Sequence, residues 1–119
     1  MNLATLITQL NLENITPEID LDRVPDIKRG YASDLLSDVM GNAPAGGMLV
    51  TVQVHLNVVA VAVHAELAAV IFALGRKPDE ATRERAAQEN IVLLVSQEPA
   101  FDIVGKLYAL DIRGGAPCA

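Results

Sequence analysis

Leu49–Ala65 reads LVTVQVHLNVVAVAVHA and contains no Asp, Glu, Lys or Arg. The uncharged stretch opens at Val39 and ends at Glu66, and both histidines of the chain, His55 and His64, lie within it. How this run divides decides the fold. As a single strand it would far exceed the usual five or six residues. A membrane span needs about 20 predominantly apolar residues. Thr51, Gln53, His55 and Asn57 interrupt its first half, and polar side chains in hydrocarbon need special partners. Pro44 and Gly46-Gly47 form a turn before it, and no Lys or Arg follows until Arg76. These features argue against a span. From Leu49 to Asn57 the pattern alternates strictly. Val50, Val52, Val54 and Leu56 fall on one side, and Thr51, Gln53, His55 and Asn57 on the other, which is a strand period. After Asn57 the alanines begin, and Ala favours helix. Asn57 is the natural N-cap, because its side-chain oxygen can accept a free N–H of the first turn. The spacing predicts a strand over 48–54, a helix over 57–66 and a second strand over 67–74.

Outward from this centre the alternation continues. Residues 79–89, DEATRERAAQE, form a charged helix with Asp79 at its start and a thin stripe of Ala81, Ala86 and Ala87. IVLLVS at 91–96 is a short buried strand. EPAFDIVGKLYAL is a helix with Pro99 in its first turn and Phe101, Val104, Leu107 and Tyr108 on one stripe. MNLATLITQLN lacks the basic start and A-x-A site of a signal peptide and reads as a first helix. LENITP and IKRGYAS are candidate strands, and SDLLSDVMGN is a short helix capped by Ser33 or Ser37. Strands alternating with helices imply right-handed crossovers and an α/β fold whose sheet is largely parallel and flanked by helices. The expected domain covers 1–110, and DIRGGAPCA at 111–119 is expected to fray as a tail.

Composition agrees. The chain has 119 residues, enough for one domain burying roughly 60–70% of its unfolded surface. Aromatics are confined to two Phe and two Tyr, so the core must be Val, Leu, Ile and Ala, as in a parallel sheet covered on both faces. Fifteen acidic against nine basic residues give a net charge of −6, which disfavours nucleic acid as a partner. Cys118 is the sole cysteine. It permits neither an internal disulfide nor a thiolate cluster, and it fits a reducing cytoplasm.

Ligands of such sheets bind at the carboxyl ends of the strands. Three loops are expected there: Gln53–Asn57, Leu74–Pro78 and Ser96–Glu98. The first carries the row Thr51, Gln53, His55 and Asn57. This row satisfies turn backbone groups or faces a partner subunit, or it lines a small-ligand site. The second carries Gly75, Arg76 and Lys77, which bring positive charge and a sharp turn, and which suit either plain turn chemistry or an anion such as phosphate. Catalytic signatures are missing. Gly105-Lys106 has Ala100 and Leu107 where a phosphate-binding loop needs Gly and Ser/Thr. His55 and His64 are nine apart and do not make a metal pair. Asp34 and Asp38, and Asp20 and Asp22, read as solvated acids.

The stretch GYASDLLSDVMGNAPAGGMLVTVQVHLNVVAVAVHAELAAVIFALGRKPDEATRERAAQENIVLLVSQEPAFDIVGKLYAL, Gly30–Leu110, resembles a DRTGG domain, and in particular the small stand-alone DRTGG proteins linked by name to HPr serine kinase. The same domain lies between CBS modules in regulated family II pyrophosphatases, and a related one opens HPr kinase/phosphorylase. The resemblance implies a DRTGG-type α/β domain, commonly homodimeric, with a regulatory or ligand-sensing role and no cofactor, an adenine nucleotide being its expected regulatory ligand. It also implies an accessory role beside a hydrogenase-type redox partner. The pattern departs at the motif that names the family. Its Asp-Arg falls near Val54-His55 and its Thr-Gly-Gly on Ala73-Leu74-Gly75, so only the last glycine is kept. Phosphoryl transfer depends on positioning nucleotide and metal, and no such apparatus is in this sequence. The expectation is therefore a non-catalytic module, with two alternatives. One is a docking subunit of a redox assembly. The other is a small enzyme using His55 with an acid such as Asp34.

Overall fold

The computed structural model describes residues 1–115. Five strands, β1 (Glu13–Asn14), β2 (Gly30–Ala32), β3 (Met48–Thr51), β4 (Ala69–Phe72) and β5 (Val92–Val95), form one sheet in the order β1-β5-β4-β3-β2. β2 to β5 are parallel, and β1 closes the β5 edge antiparallel. Five helices accompany them: α1 (Leu3–Gln9), α2 (Leu36–Asn42), α3 (Asn57–His64), α4 (Glu80–Gln88) and α5 (Ala100–Ala109). The α/β, largely parallel architecture expected from the sequence is the one observed.

The strand order explains the layers. β2 to β5 advance one place at a time in one direction, so crossovers of one hand put α2, α3 and α4 on the same face. Leu49, Val70, Phe72, Leu93 and Val95 point to that face and pack with Val39, Val58, Val59, Val61, Ala62 and Ala86 of those helices. Met48, Val50, Ala69, Ile71, Val92 and Leu94 point the other way, onto Leu3, Leu6, Ile103 and Leu107 of α1 and α5. Each central strand is buried on both faces, so its sequence is continuously apolar and not alternating.

Four helices end in the same way. Asn11, Glu66, Asn90 and Asp111 adopt φ of 53°, 57°, 59° and 66° just past α1, α3, α4 and α5. The next residue in each case (Leu12, Leu67, Ile91 and Ile112) is buried and donates its N–H to the carbonyl five residues back, of Ile7, Ala62, Ala86 and Leu107. This is the Schellman arrangement, in which a left-handed residue closes the helix and an apolar residue beyond it returns to the core.

The differences from the sequence reading have physical causes. β3 stops at Thr51, not at residue 54, because the N–H of Val52 bonds to the Asp34 carboxylate at 2.9 Å and leaves the ladder. β4 and β5 are each shorter at both ends than 67–74 and 91–96. Asn57 does not cap α3 but is its first residue. Asp79 does cap α4, accepting the Thr82 N–H at 2.8 Å. The expected α5 stripe is rotated: Ile103 and Leu107 face the core, while Phe101 is 87% and Tyr108 54% exposed. Packing continues past Leu110. Ile112 is buried, and the Arg113 carbonyl accepts from Gly30 N–H at 3.1 Å beside β2. Residues 116–119, with Cys118, lie outside the described residues. None of the described helices is long and apolar enough to cross a membrane.

Candidate functional site

The turn from β3 to α3 holds the polar row, and its side chains act on its own backbone. Thr51 is 1% exposed; its hydroxyl donates to Asp34 Oδ1 at 2.9 Å and accepts the Gln53 N–H at 3.0 Å. Gln53 Oε1 accepts the His55 N–H at 3.4 Å. His55 Nδ1 accepts the Asn57 N–H at 3.1 Å. Three successive side chains thus each serve the N–H two residues on, replacing the ladder that β3 has left and the bonds α3 has not yet begun. His55 and Asn57 are exposed and Gln53 half-buried.

The other two loops are stitched together. Leu74 N–H donates to the Glu98 carbonyl at 2.9 Å, and Gly75 N–H to the Ser96 carbonyl at 2.7 Å. Gly75 has φ +67°, and a Cβ there would meet Gln97 Oε1 at 2.5 Å. The turn is what calls for glycine, since the Gln97 amide is the end of a flexible side chain that can move aside. Lys77 is drawn away from the loop edge, its Nζ 3.0 Å from Glu13 on β1. Arg76 is exposed, and among the described residues no carboxylate lies within ion-pairing distance of it. The structure therefore gathers Thr51, Gln53, His55 and Asn57 into one turn and joins Gly75 to the β5 loop. It leaves Arg76 as the one free cation of the three loops among the described residues.

Electrostatics at this edge centre on Asp79. The Thr82 backbone N–H, then the Thr82 hydroxyl, hold its carboxyl below the ordinary value, and the nearby His55 adds to this. On the α2 side, Tyr31 donates to Asp38 at 2.8 Å and Asn42 to the same oxygen at 2.9 Å. These bonds lower Asp38, and the one to Asp38 raises the Tyr31 phenol. Asp34 is committed to Thr51 and Val52, and among the described residues no hydrogen bond joins it to His55. The described residues contain no group of three or more potential metal ligands.

A cavity of about 280 Å³ opens between β2 and α5, lined by Gly30, Ala32, Val50, Val104, Tyr108 and Ile112 among others. A groove of about 560 Å³ runs between α2 and α3, along Leu36, Met40, Asn57 and Val61. Of the polar row, only Asn57 borders these concave surfaces. Sequence reasoning missed both. It also missed Asp34 as the group that ends β3. A signal for Asp34 exists in retrospect: Ser33-Asp34 follows a strand and precedes a helix, a place where a carboxylate usually bonds backbone. No such signal exists for the β2–α5 cavity, because its walls come from four separate segments.

No family model and no curated protein matches the sequence. The fold matches a solved structure, that of the CBS and DRTGG domains of the regulatory region of Clostridium perfringens pyrophosphatase complexed with its activator, diadenosine tetraphosphate. The TM-score is 0.71 at 15% identity, over 87% of this chain and 44% of that one. This chain thus spans less than half the length of the chain it matches. The fold expected from Gly30–Leu110 is accordingly the fold found: the chain has a DRTGG-like α/β fold.

Proposed function

We propose that this chain is a non-catalytic regulatory module, working as a homodimer, that senses a small adenine-nucleotide or phosphate-bearing ligand. The observation that carries the reading is the likeness of its fold to a regulatory region complexed with a dinucleotide activator. The chemistry of the carboxyl edge agrees with it. Its polar side chains serve turn backbone, Asp34 is held by Thr51 and Val52 and Asp79 by Thr82, and among the described residues no carboxylate is hydrogen-bonded to His55. In this reading the ligand is a signal and not a cofactor. His55, Asn57 and Arg76 are exposed at the carboxyl edge, and Thr51, Gln53, Gly75 and Lys77 shape its loops.

The test is a thermal-shift series with AMP, ADP, ATP, diadenosine tetraphosphate and inorganic phosphate. A ligand that binds only the folded chain raises its stability as RT ln(1 + [L]/Kd), about 2.7 kcal/mol at a hundredfold excess over Kd. A shift with an adenine nucleotide supports sensing, and no shift with any of them refutes it. Sedimentation tests the dimer: a species at the 12.7 kDa of one chain refutes it.

One observation favours a second reading, a docking subunit for a partner protein such as a redox enzyme. Met40 and Leu56 are 46% and 50% exposed, and Met40 lines the α2–α3 groove. Such apolar surface suits a protein contact. Co-purification of a partner that is lost on Met40→Glu, together with no nucleotide shift, would favour this reading over sensing.

A further inference from the structure

We infer that the cavity between β2 and α5 is the binding place for the planar base of an adenine-type nucleotide, at a distance from the carboxyl-edge loops. This inference rests on the sensing reading and gives it a location. The cavity's walls are the side chains of Val50, Val104, Leu107, Tyr108 and Ile112. Glycines at 30 and 114 keep its β2 side open; a Cβ on Gly30 would reach to 3.5 Å of Ile112. At about 280 Å³ it takes one base-sized group and excludes a whole dinucleotide, since drug-sized sites start near roughly 300 Å³.

Its rim carries the polar complement. β2 bonds to β3 through the carbonyl of Arg29 and the N–H of Ser33. In a parallel ladder the intervening even-numbered residues turn their N–H and C=O the other way, to the open edge. Gly30 N–H is taken by Arg113. Ala32, which lines the cavity, is left with one donor and one acceptor side by side at that edge. That pair matches the ring nitrogen and amino group of adenine. Tyr108 supplies an aromatic surface, and the Arg113 guanidinium stands 4.1 Å from its ring centroid. Stacking on an aromatic face contributes to base binding. Lys28 and Arg29 precede Gly30, and among the described residues neither has a carboxylate within ion-pairing distance. Arg113 is paired with Asp111 at 2.9 Å, so Lys28 and Arg29 are the unpaired cations of this end of the sheet in a chain of net charge −6.

The experiment is isothermal titration of the full chain with AMP, and with inorganic phosphate as the probe for charge alone. AMP is expected to bind clearly more tightly than phosphate. Val104→Trp, which fills the cavity from its half-exposed mouth, should weaken AMP by roughly tenfold or more. Tyr108→Ala, at an exposed position that leaves the core intact, should weaken it too, with unchanged circular dichroism in both variants. His55→Ala and Arg76→Ala should leave AMP affinity within about twofold. If Val104→Trp and Tyr108→Ala bind AMP like the parent while Arg76→Ala loses it, the cavity assignment falls and sensing stands. AMP binding no tighter than phosphate also overturns the cavity assignment. If the unaltered chain binds neither, the sensing reading falls and this inference falls with it.

Discussion

The imidazole Nδ1 of His55 accepts the backbone N–H of Asn57 at 3.1 Å, and so begins α3. A histidine at the ligand edge of an α/β sheet invites a catalytic reading. Here the ring does the work of a capping side chain. Replacing it by Ala should cost roughly 1 kcal/mol, the usual value of a lost cap. His55→Asn or His55→Asp should recover most of that, since both keep an acceptor at the same reach. Urea denaturation of the three variants checks this; an Asn variant as unstable as the Ala variant would contradict the capping role.

Asp34 joins two elements through one oxygen, accepting both the Thr51 hydroxyl and the Val52 N–H at 2.9 Å. Asp34→Ala strands a buried hydroxyl and a backbone donor, at a cost of about 1–3 kcal/mol. Asp34→Asn keeps an acceptor oxygen and should cost less. Amide exchange at Val52 provides the local readout, and it should quicken in the Ala variant more than exchange in the centre of β4.

Glu66 sits at φ 57° where α3 closes, a conformation that costs a side-chain residue roughly 1–2 kcal/mol. Glu66→Gly should therefore stabilise the chain by about 0.5–1 kcal/mol despite the flexibility glycine adds when unfolded. The midpoint of thermal unfolding should rise. A fall would mean that the Glu66 side chain has a stabilising role the hydrogen bonds of this turn do not reveal.

Gly75→Ala should destabilise chiefly through its φ of +67°, with a smaller part from displacing the Gln97 amide, which an added Cβ would meet at 2.5 Å. Gln97→Ala removes the second and leaves the first. A double-mutant cycle in urea should show that Gly75→Ala costs less in the Gln97→Ala background. Equal costs in both backgrounds would place the whole effect in the backbone.

The hydrogen bond from Tyr31 to Asp38 should be visible at both ends of the pH scale. Asp38 is held below its ordinary value chiefly by that bond, so its contribution is present above the unfolded carboxylate pKa and is lost as pH falls through the lower, folded one. The Tyr31 phenol is raised by the same bond, so its contribution holds below the unfolded phenol pKa and is lost as pH rises through the higher, folded one. Tyr31→Phe should flatten the stability profile in the acid limb and the alkaline limb together. A change in only one limb would show that the two groups do not titrate as partners.

The sequence by itself determined the layers of this protein and the order of its elements. Val, Leu and Ile in short runs between helical patterns can be satisfied only in a sheet covered on both faces, and the Asp79 cap follows from local chemistry. It did not determine where β3 ends. Strict alternation through Asn57 looks like strand, and it is cut at Thr51 by Asp34, seventeen residues earlier in the chain. Nor did it determine which side of α5 faces inward. Phe101 is as apolar as Ile103 and Tyr108 is largely so, and only the seat of the helix across β2 and β3 decides which of them is buried. The polar row was legible as residues, and its partners were not. A hydroxyl, an amide and an imidazole can serve a ligand or a backbone equally well, and the choice belongs to the geometry of the turn. The β2–α5 cavity is wholly a product of tertiary structure, because its lining comes from β2, β3, α5 and the segment beyond it, which meet only when the sheet has formed.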